Sequence, residues 1–599
     1  MGTVLVNDVE VEIGPKDNLI LAARRAGVEV PHYCWHHELS VVASCRMCLV
    51  EVGEKKPDGS VVMQPKLLPA CQTMAKPGTV IRTDSEKVKA SQAQTLEYLL
   101  LNHPLDCSIC DQAGECYLQD YTYKFGKAHS RLNEPKVQRA DKYHIGDQIA
   151  LFTDRCVMCT RCVRFTREVS GTSELHVISR GSVEEIEVFP DEPCNNKLAG
   201  NVVDLCPVGA LCSKDFLYKK RVWWLKSQDS VCNLCSTGCS IHIDQNDNRI
   251  YRVRPRENPQ AQGAFMCDDG RFGWKAIHSQ ARLAAPRLGR IAESDRAASG
   301  CGGGGCQSGQ CQSATTPIVH EHTVHTPTEV AAALPADMAS VDPWPAVLDA
   351  TRAALSAAMA EKPASLLAVF SPMMTVEEAY LLAKYLHSGA QRATLVLGPV
   401  PVVGEDDRYP KDHRGNPPAP EKTRFTIRAE KCPNKRGVEL VLKHFQGSVI
   451  SFDSVLSRIE AVEYTAAYVV GGYGNQGFDG AATAALSKLP SLIVQDWLQS
   501  PLTDAATILL AAASFAEREG TFVNHAGLAQ LIRPTIRTIG DSRADGRILF
   551  ELAGRTGLFN SAVVRRELAH EIHAFSALAN GQLDALGTFV VQQPKPVMA

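Results

Sequence analysis

The placement of cysteine constrains this chain more than any other feature. Of 21 cysteines, 17 stand before residue 270 and four after it, many of them two residues apart. At that separation two thiols reach one ion easily but make poor disulfides. The N-terminus alternates Val4, Val6, Val9, Val11 and Ile13, the pattern of a strand pair and not of a basic-then-apolar secretion signal. A reducing compartment and metal ligation are therefore expected. No apolar run approaches the roughly 18 residues that span a bilayer. Ala505 to Ala516 comes nearest, and it is short and Ala-rich. The expectation is a cytoplasmic protein that meets a membrane only through partners.

The cysteines fall into four sets. The first is Cys34, Cys45, Cys48 and Cys71, following two short strands (Thr3 to Val6, Val9 to Ile13) and a helical stretch, Asn18 to Ala26; Cys48 runs into a strand, Leu49 to Val52. A strand pair, a helix and a cysteine-bearing loop describe a plant-type 2Fe–2S ferredoxin module, although the first gap is longer and Gly53 to Lys66 intervenes before the last ligand. A zinc site has the same ligand number without that context. The second set, His103, Cys107, Cys110 and Cys116, offers only three thiols. His103 stands where the fourth ligand of a cubane is needed, and a neutral imidazole leaves such a cluster less negative.

Cys156, Cys159 and Cys162 form half of a bacterial ferredoxin motif, and Cys206-Pro207 supplies the remote closing ligand; Val202, Ala199 and Asn196 occupy the places where a second cluster's cysteines would be. The fourth set is Cys232, Cys235, Cys239 and Cys267, with Ser240 to Asp244 and Ile250 to Val253 reading as a hairpin around Asn246-Asp247-Asn248. A zinc ribbon competes there, but three neighbouring iron–sulfur sites favour another cubane. Cys194 and Cys212 read as buried thiols.

On these residues the chain resembles a known family. His103-Pro-Leu-Asp-Cys107, Cys156-Val-Met-Cys159-Thr-Arg-Cys162 and Gly200-Asn-Val-Val-Asp-Leu-Cys206-Pro-Val-Gly-Ala210 are similar to the large (75 kDa-type) iron–sulfur subunits of respiratory complex I, the NADH–quinone oxidoreductase. The fourth set is similar to an additional cluster of bacterial members. The later part resembles molybdopterin oxidoreductases more faintly, through Cys267-Asp-Asp-Gly-Arg-Phe-Gly, Val494-Gln-Asp, Glu519-Gly-Thr-Phe-Val-Asn524 and Gln530. The resemblance implies one 2Fe–2S cluster on the first set and three 4Fe–4S clusters on the others.

The implied architecture is multidomain, α+β then α/β. It comprises a 2Fe–2S ferredoxin-like (β-grasp) domain over 1–85, a His/Cys3 4Fe–4S domain over 86–126 and a bacterial-ferredoxin-like 4Fe–4S domain over 127–220. A 4Fe–4S domain of molybdopterin-oxidoreductase type follows over 221–277, then a linker over 278–328, and a degenerate molybdopterin-oxidoreductase-like domain over 329–599. In that last domain strands at Leu366 to Phe370, Thr394 to Leu397, Ala467 to Val470 and Leu492 to Gln495 alternate with helices, as in a largely parallel sheet, and Thr375 and Glu378 read as a capping box.

Active pterin enzymes carry a Cys, selenocysteine or Ser on the metal shortly after the helix equivalent to Thr375 to His387. Here Ser388-Gly-Ala-Gln-Arg-Ala-Thr-Leu-Val follows, Cys432 lies in an expected loop, and Ala526 and Leu528 replace polar residues. No molybdopterin is expected, although Gly471 to Gly480 after a strand could cradle a phosphate. The linker carries Cys301, Cys306 and Cys311, then His320, His322 and His325. An exposed loop or an extra metal site both fit it.

No G-x-G-x-x-G follows a strand to open a helix, so no nicotinamide or flavin site is expected, and no catalytic residue. With Lys plus Arg at 63 against Asp plus Glu at 66, the net charge of −3 gives no nucleic-acid footprint. The resemblance implies an electron relay in the peripheral arm of NADH:quinone oxidoreductase, on the cytoplasmic side of the bacterial inner membrane. Its partners would be a flavin/NADH-binding subunit and the other peripheral-arm iron–sulfur subunits. The rival readings are the catalytic subunit of an NAD-linked Mo/W formate dehydrogenase, an iron-hydrogenase, and a zinc scaffold.

Overall fold

A computed structural model describes residues 2–291, 342–361, 365–387, 393–461, 463–474 and 477–590. Cys301, Cys306, Cys311, the linker histidines and the start of the Ser388 segment lie outside the described residues.

The first module is a mixed sheet in the order Val9–Glu12, Thr3–Val6, Thr79–Arg82, Leu49–Lys55, Val61–Met63, with Leu68–Pro69 also on Leu49–Lys55. Thr3–Val6 runs parallel to Thr79–Arg82, the one parallel pairing in this sheet. Val4, Val6, Val50, Val52 and Ile81 turn inward against Leu19, Ile20, Ala22 and Ala23 of the helix Leu19–Arg25. The stretch Gly53 to Lys66 is the hairpin that extends Leu49–Lys55 back through Val61–Met63. Asn18 caps the helix by accepting from the amide of Leu21 (3.1 Å) and donates Nδ2–H to the carbonyl of Cys71 (3.0 Å). The helix start is thereby tied to the last ligand of the first set.

Beyond it lie the helices Glu86–Leu100 and Tyr117–Phe125, then the short helices Arg161–Phe165 and Asn201–Leu205. A three-stranded antiparallel sheet follows, Lys226–Val231, Ser240–Asn246 and Arg249–Pro255. Its hairpin closes through Asp247 (φ 50°) and Asn248 (φ 67°), left-handed positions that Asp and Asn tolerate. One apolar core runs under all four cysteine sets, through Tyr33, Leu96, Leu118, Phe165, Leu205, Ile241 and Phe265.

The second half is built on a seven-stranded sheet in the order Arg287–Leu288, Ile508–Ala511, Ser491–Asp496, Ala466–Val470, Leu366–Phe370, Thr394–Leu397, Ile450–Ser451. All pairings are parallel except that of Arg287–Leu288. The expected capping box exists: Glu378 accepts from the Thr375 amide (2.7 Å) and Thr375 Oγ1 from the Glu378 amide (3.3 Å), opening the helix Val376–His387. The Ala-rich run 505–516 contains the buried strand Ile508–Ala511. Among the described residues no helix is long and apolar enough to cross a membrane.

Candidate metal centres

In the first set, Cys34 interacts with the thiols of Cys45 and Cys71, and Cys48 with that of Cys71. Ala43 (φ 49°) and Arg46 (φ 57°) bend the loop through left-handed backbone to present Cys45 and Cys48. In the third set Cys156, Cys159, Cys162 and Cys206 line one narrow cavity with Leu151 and Ile186. Left-handed Met158 (φ 46°) and Thr160 (φ 58°) shape that loop, and the Met158 amide points at Cys156 Sγ (3.4 Å). The Cys206-Pro-Val-Gly-Ala-Leu turn aims the amides of Val208, Ala210 and Leu211 at the Cys206 sulfur, the amide-to-sulfur pattern that tunes cluster potentials.

The second set sits where Cys107 is exposed and Cys110 buried. Cys110 feels Cys107, and Cys116 feels Cys110 and Cys206. Burial, then Lys136 and Arg155, pulls the half-buried His103 imidazole down to about 4, so it is neutral at physiological pH, the form that ligates metal. Gly209 is required here, because a Cβ would strike Cys110 Sγ. In the fourth set Cys232, Cys235, Cys239 and Cys267 are all buried and act on one another electrostatically. Burial pushes the thiols of Cys232 and Cys156 up to about 12. Such groups become thiolates beside a cation, which a bound metal would supply.

Two observations test what these sets fit. Among the described residues no three cysteine sulfurs lie within 4.8 Å of one another. A single tetrahedral zinc with bonds of about 2.3 Å would hold its four sulfurs about 3.8 Å apart, and among the described residues no cysteine set stands in that arrangement. Tyr33 Oη is buried with no partner and lies within electrostatic reach of Cys45 and Cys116. An O–H orphaned there lacks the acceptor that a cluster sulfide provides.

Side chains that the cysteine pattern did not reveal join the sets. Arg155, ahead of Cys156, donates from Nε and an NH2 group to Asp106, ahead of Cys107 (3.0 and 2.9 Å). The Tyr117 amide, after Cys116, donates to the carbonyl of Pro207, after Cys206 (3.0 Å). Arg164 donates to the carbonyls of both Cys34 and Cys159. The first set thus abuts the third, and the third the second. The basic residues interleaved in Cys159-Thr-Arg161-Cys162-Val-Arg164 were the available sequence signal. The fourth loop is held from the other half of the chain: Asn524 Nδ2 donates to Thr237 O (3.0 Å) and the His525 amide to Ser236 O (3.0 Å). Asn524 and Gln530, read from sequence as traces of pterin-enzyme motifs, here serve that loop.

At the C-terminal ends of the seven-stranded sheet, strand order reverses between Leu366–Phe370 and Ala466–Val470, where α/β folds bind ligands. Among the described residues that point is packed with Met373, Cys432 and Tyr473, and Tyr473 Oη donates to Pro399 O (2.7 Å). The Asp496 carboxylate accepts from the amides of Gly472 (3.0 Å) and Trp497 (2.7 Å). These two amides are thus already engaged by a side-chain carboxylate.

Family models match in the same order. They are a 2Fe–2S iron–sulfur cluster binding domain over 2–86, the NADH-ubiquinone oxidoreductase-G iron–sulfur binding region over 92–131 and the NADH-quinone oxidoreductase subunit 3 ferredoxin-like domain over 146–212. The molybdopterin oxidoreductase Fe4S4 domain follows over 225–279 and molybdopterin oxidoreductase over 447–555. The G subunit of the NADH-quinone oxidoreductase of Rickettsia felis is 37% identical over 292 residues, 48% of this chain and 42% of that protein. The mitochondrial NADH dehydrogenase [ubiquinone] iron–sulfur protein 1 of Solanum tuberosum is 40% identical over 285 residues, 48% of this chain and 37% of that one. The first half of this chain is homologous to these complex I iron–sulfur subunits. The matched region spans about two fifths of these relatives' own lengths. A chain of a NAD+-reducing [NiFe]-hydrogenase aligns at 25% identity with a TM-score of 0.32, covering 37% of this chain and 91% of that one. Homology to the complex I subunits and the stacked ligand sets thus meet in the same residues, while the molybdopterin-oxidoreductase matches fall on the fourth ligand set and on part of the second half.

Proposed function

We propose that this chain is an electron-relay iron–sulfur subunit in the peripheral arm of an NADH:quinone oxidoreductase. It would hold one 2Fe–2S cluster on Cys34, Cys45, Cys48 and Cys71, and 4Fe–4S clusters on His103/Cys107/Cys110/Cys116, on Cys156/Cys159/Cys162/Cys206 and on Cys232/Cys235/Cys239/Cys267. The observation that carries this reading is the contiguity of the sets: Arg164 joins the first to the third, and Arg155–Asp106 joins the third to the second. Clusters exchange single electrons without breaking substrate bonds, so position and potential define the task. This chain's residues position the thiolates, exclude water through the shared core and aim amides at sulfur.

The order first, third, second runs toward an exposed face. Leu105 and Ile109 flank Cys107, exposed by 88% and 55%, and Arg221, which donates to the carbonyl of Ser108, precedes Trp223 and Trp224, exposed by 58% and 60%. That apolar surface suits cover by an acceptor subunit, as a flavin/NADH-binding subunit suits the donor end. The complex would lie peripherally on the cytoplasmic side of the membrane. The second half is read as a pterin-free scaffold, and homology to complex I subunits disfavours the formate dehydrogenase alternative. The test is His103→Ala: loss or alteration of one cluster's paramagnetic signal with lower NADH–quinone turnover supports the relay. Unchanged spectra and turnover overturn it.

A further inference from the structure

Two guanidinium groups are buried between the first and third sets without an acid. Arg164 is 1% exposed and Arg161 4%. Arg164 donates to Ser40 O (2.5 Å), Cys34 O (2.5 Å), Cys159 O (3.1 Å) and Thr160 O (3.2 Å). Arg161 donates to Trp35 O (2.7 Å) and Leu205 O (3.2 Å), and its Nε has no partner. Among the described residues neither forms an ion pair. Glu168, which acts on Arg164 only electrostatically, is engaged by the Ser40 amide and hydroxyl (2.9 and 2.5 Å) and by Arg167 (3.2 Å).

Elsewhere in this half the well-buried arginines face carboxylates: Arg155 meets Asp106, Arg252 meets Glu115 and Asp244, and Arg271 meets Asp204. Burying a charge without a counter-charge is strongly unfavourable. Arg161 and Arg164 therefore need an anion that the protein's own side chains do not provide. All their acceptors but Ser40 O are carbonyls of, or next to, cluster-ligand segments: Cys34, Trp35, Cys159, Thr160 and Leu205. Clusters on thiolates carry net negative charge, one unit more when reduced.

Resting on the relay reading above, we infer that Arg164, with Arg161 beside it, is the fixed counter-charge shared by the first and third clusters, and that it raises the potentials of both. The step these arginines would serve is a one-electron transfer, in which a cluster held by the first set would lose one electron and one held by the third set would gain it. No bond forms or breaks, and the guanidinium keeps its proton throughout. A positive charge in a dry site favours the more negative, reduced state of each neighbour. Because Arg164 touches both segments, it moves the two potentials together and preserves their difference. These are positioning and tuning residues, not catalytic ones.

The test is an EPR-monitored redox titration of the full chain carrying Arg164→Gln or Arg164→Lys, with iron determined per chain. In Arg164→Gln the midpoints of the 2Fe–2S cluster and one 4Fe–4S cluster fall together, the other two stay put, and iron content is unchanged; Arg164→Lys restores most of the shift. Unmoved midpoints in a fully loaded Arg164→Gln protein overturn the inference. Should Arg164→Gln fail to assemble its clusters, Arg161→Gln decides in the same titration: a joint fall supports the counter-charge and no fall overturns it. If the native chain lacks the 2Fe–2S signal altogether, the relay reading has failed, an outcome distinct from clusters present but unshifted.

Discussion

Gln530 donates Nε2–H to the carbonyl of Gly238 at 2.7 Å, while its Oε1 accepts from Ser240 Oγ at 2.6 Å. One side chain of the second half thus fastens both ends of the turn carrying Cys239. Asn258 adds a third bond to the same Oε1 (3.2 Å). The second half, whatever its ancestry, acts as the clamp on the fourth ligand set.

Gln530→Leu removes that clamp, leaving buried Gly238 O without a partner and the Ser240 hydroxyl without its acceptor, although Asn258 Nδ2 still donates to Ser240 Oγ (2.9 Å). Each orphaned group costs about 1–3 kcal/mol. The expected result is a lower melting temperature with selective loss of the fourth cluster's iron, read by calorimetry and metal analysis.

His525 accepts from Arg428 on Nε2 (2.7 Å) and faces Ser236 O with Nδ1 (2.9 Å). That geometry requires the neutral ring. Burial and then Arg428 hold its pKa below the ordinary value, about 6.5. The unfolded chain therefore binds the proton more readily, so this contribution is complete above that value and fades as pH falls toward the folded-state pKa. Thermal unfolding between pH 8 and 5 should show less acid sensitivity in His525→Gln than in the native chain.

Gly209 leaves room for Cys110 Sγ, which a Cβ would strike. Gly209→Ala should expel one ligand of the second cluster, erasing its paramagnetic signal while the other three persist. Retention of all four signals would mean the loop relaxes freely.

Arg282 and Glu517 pair at 2.7 Å with side chains 2% and 1% exposed, at the seam where residues after the fourth set meet the second half. Arg282→Met leaves the buried Glu517 carboxylate without its counter-charge, with only the Ser514 amide on the same oxygen (2.7 Å), and should cost about 3–5 kcal/mol, whereas Arg282→Met with Glu517→Leu should recover most of that loss. Denaturant melts of both variants check the sign.

Much of this was legible because ligand spacing and strand alternation are local. The Asn246–Asn248 turn, the Thr375–Glu378 cap and the strand Leu366–Phe370 all follow from neighbours within a few residues. Gly53 to Lys66 read as an interruption because hairpin pairing with Val61–Met63 depends on register, not on composition. What stayed hidden depends on distance in sequence. Arg164 meets Cys34 across 130 positions and Gln530 meets Gly238 across 292, and no periodicity links such pairs. The filling of the switch point by Tyr473 and Cys432 is likewise a tertiary fact, since a glycine-rich stretch after a strand looks the same whether it cradles a phosphate or an aspartate.

The central claim is that sixteen side chains gather into four inorganic conductors while the second half carries none. Iron, acid-labile sulfide, zinc and molybdenum per chain, measured on anaerobically purified full-length protein, test it most directly. The account predicts about 14 iron and about as many sulfides, with no stoichiometric molybdenum or tungsten. Zinc in place of iron, or one molybdenum or tungsten per chain, would contradict it.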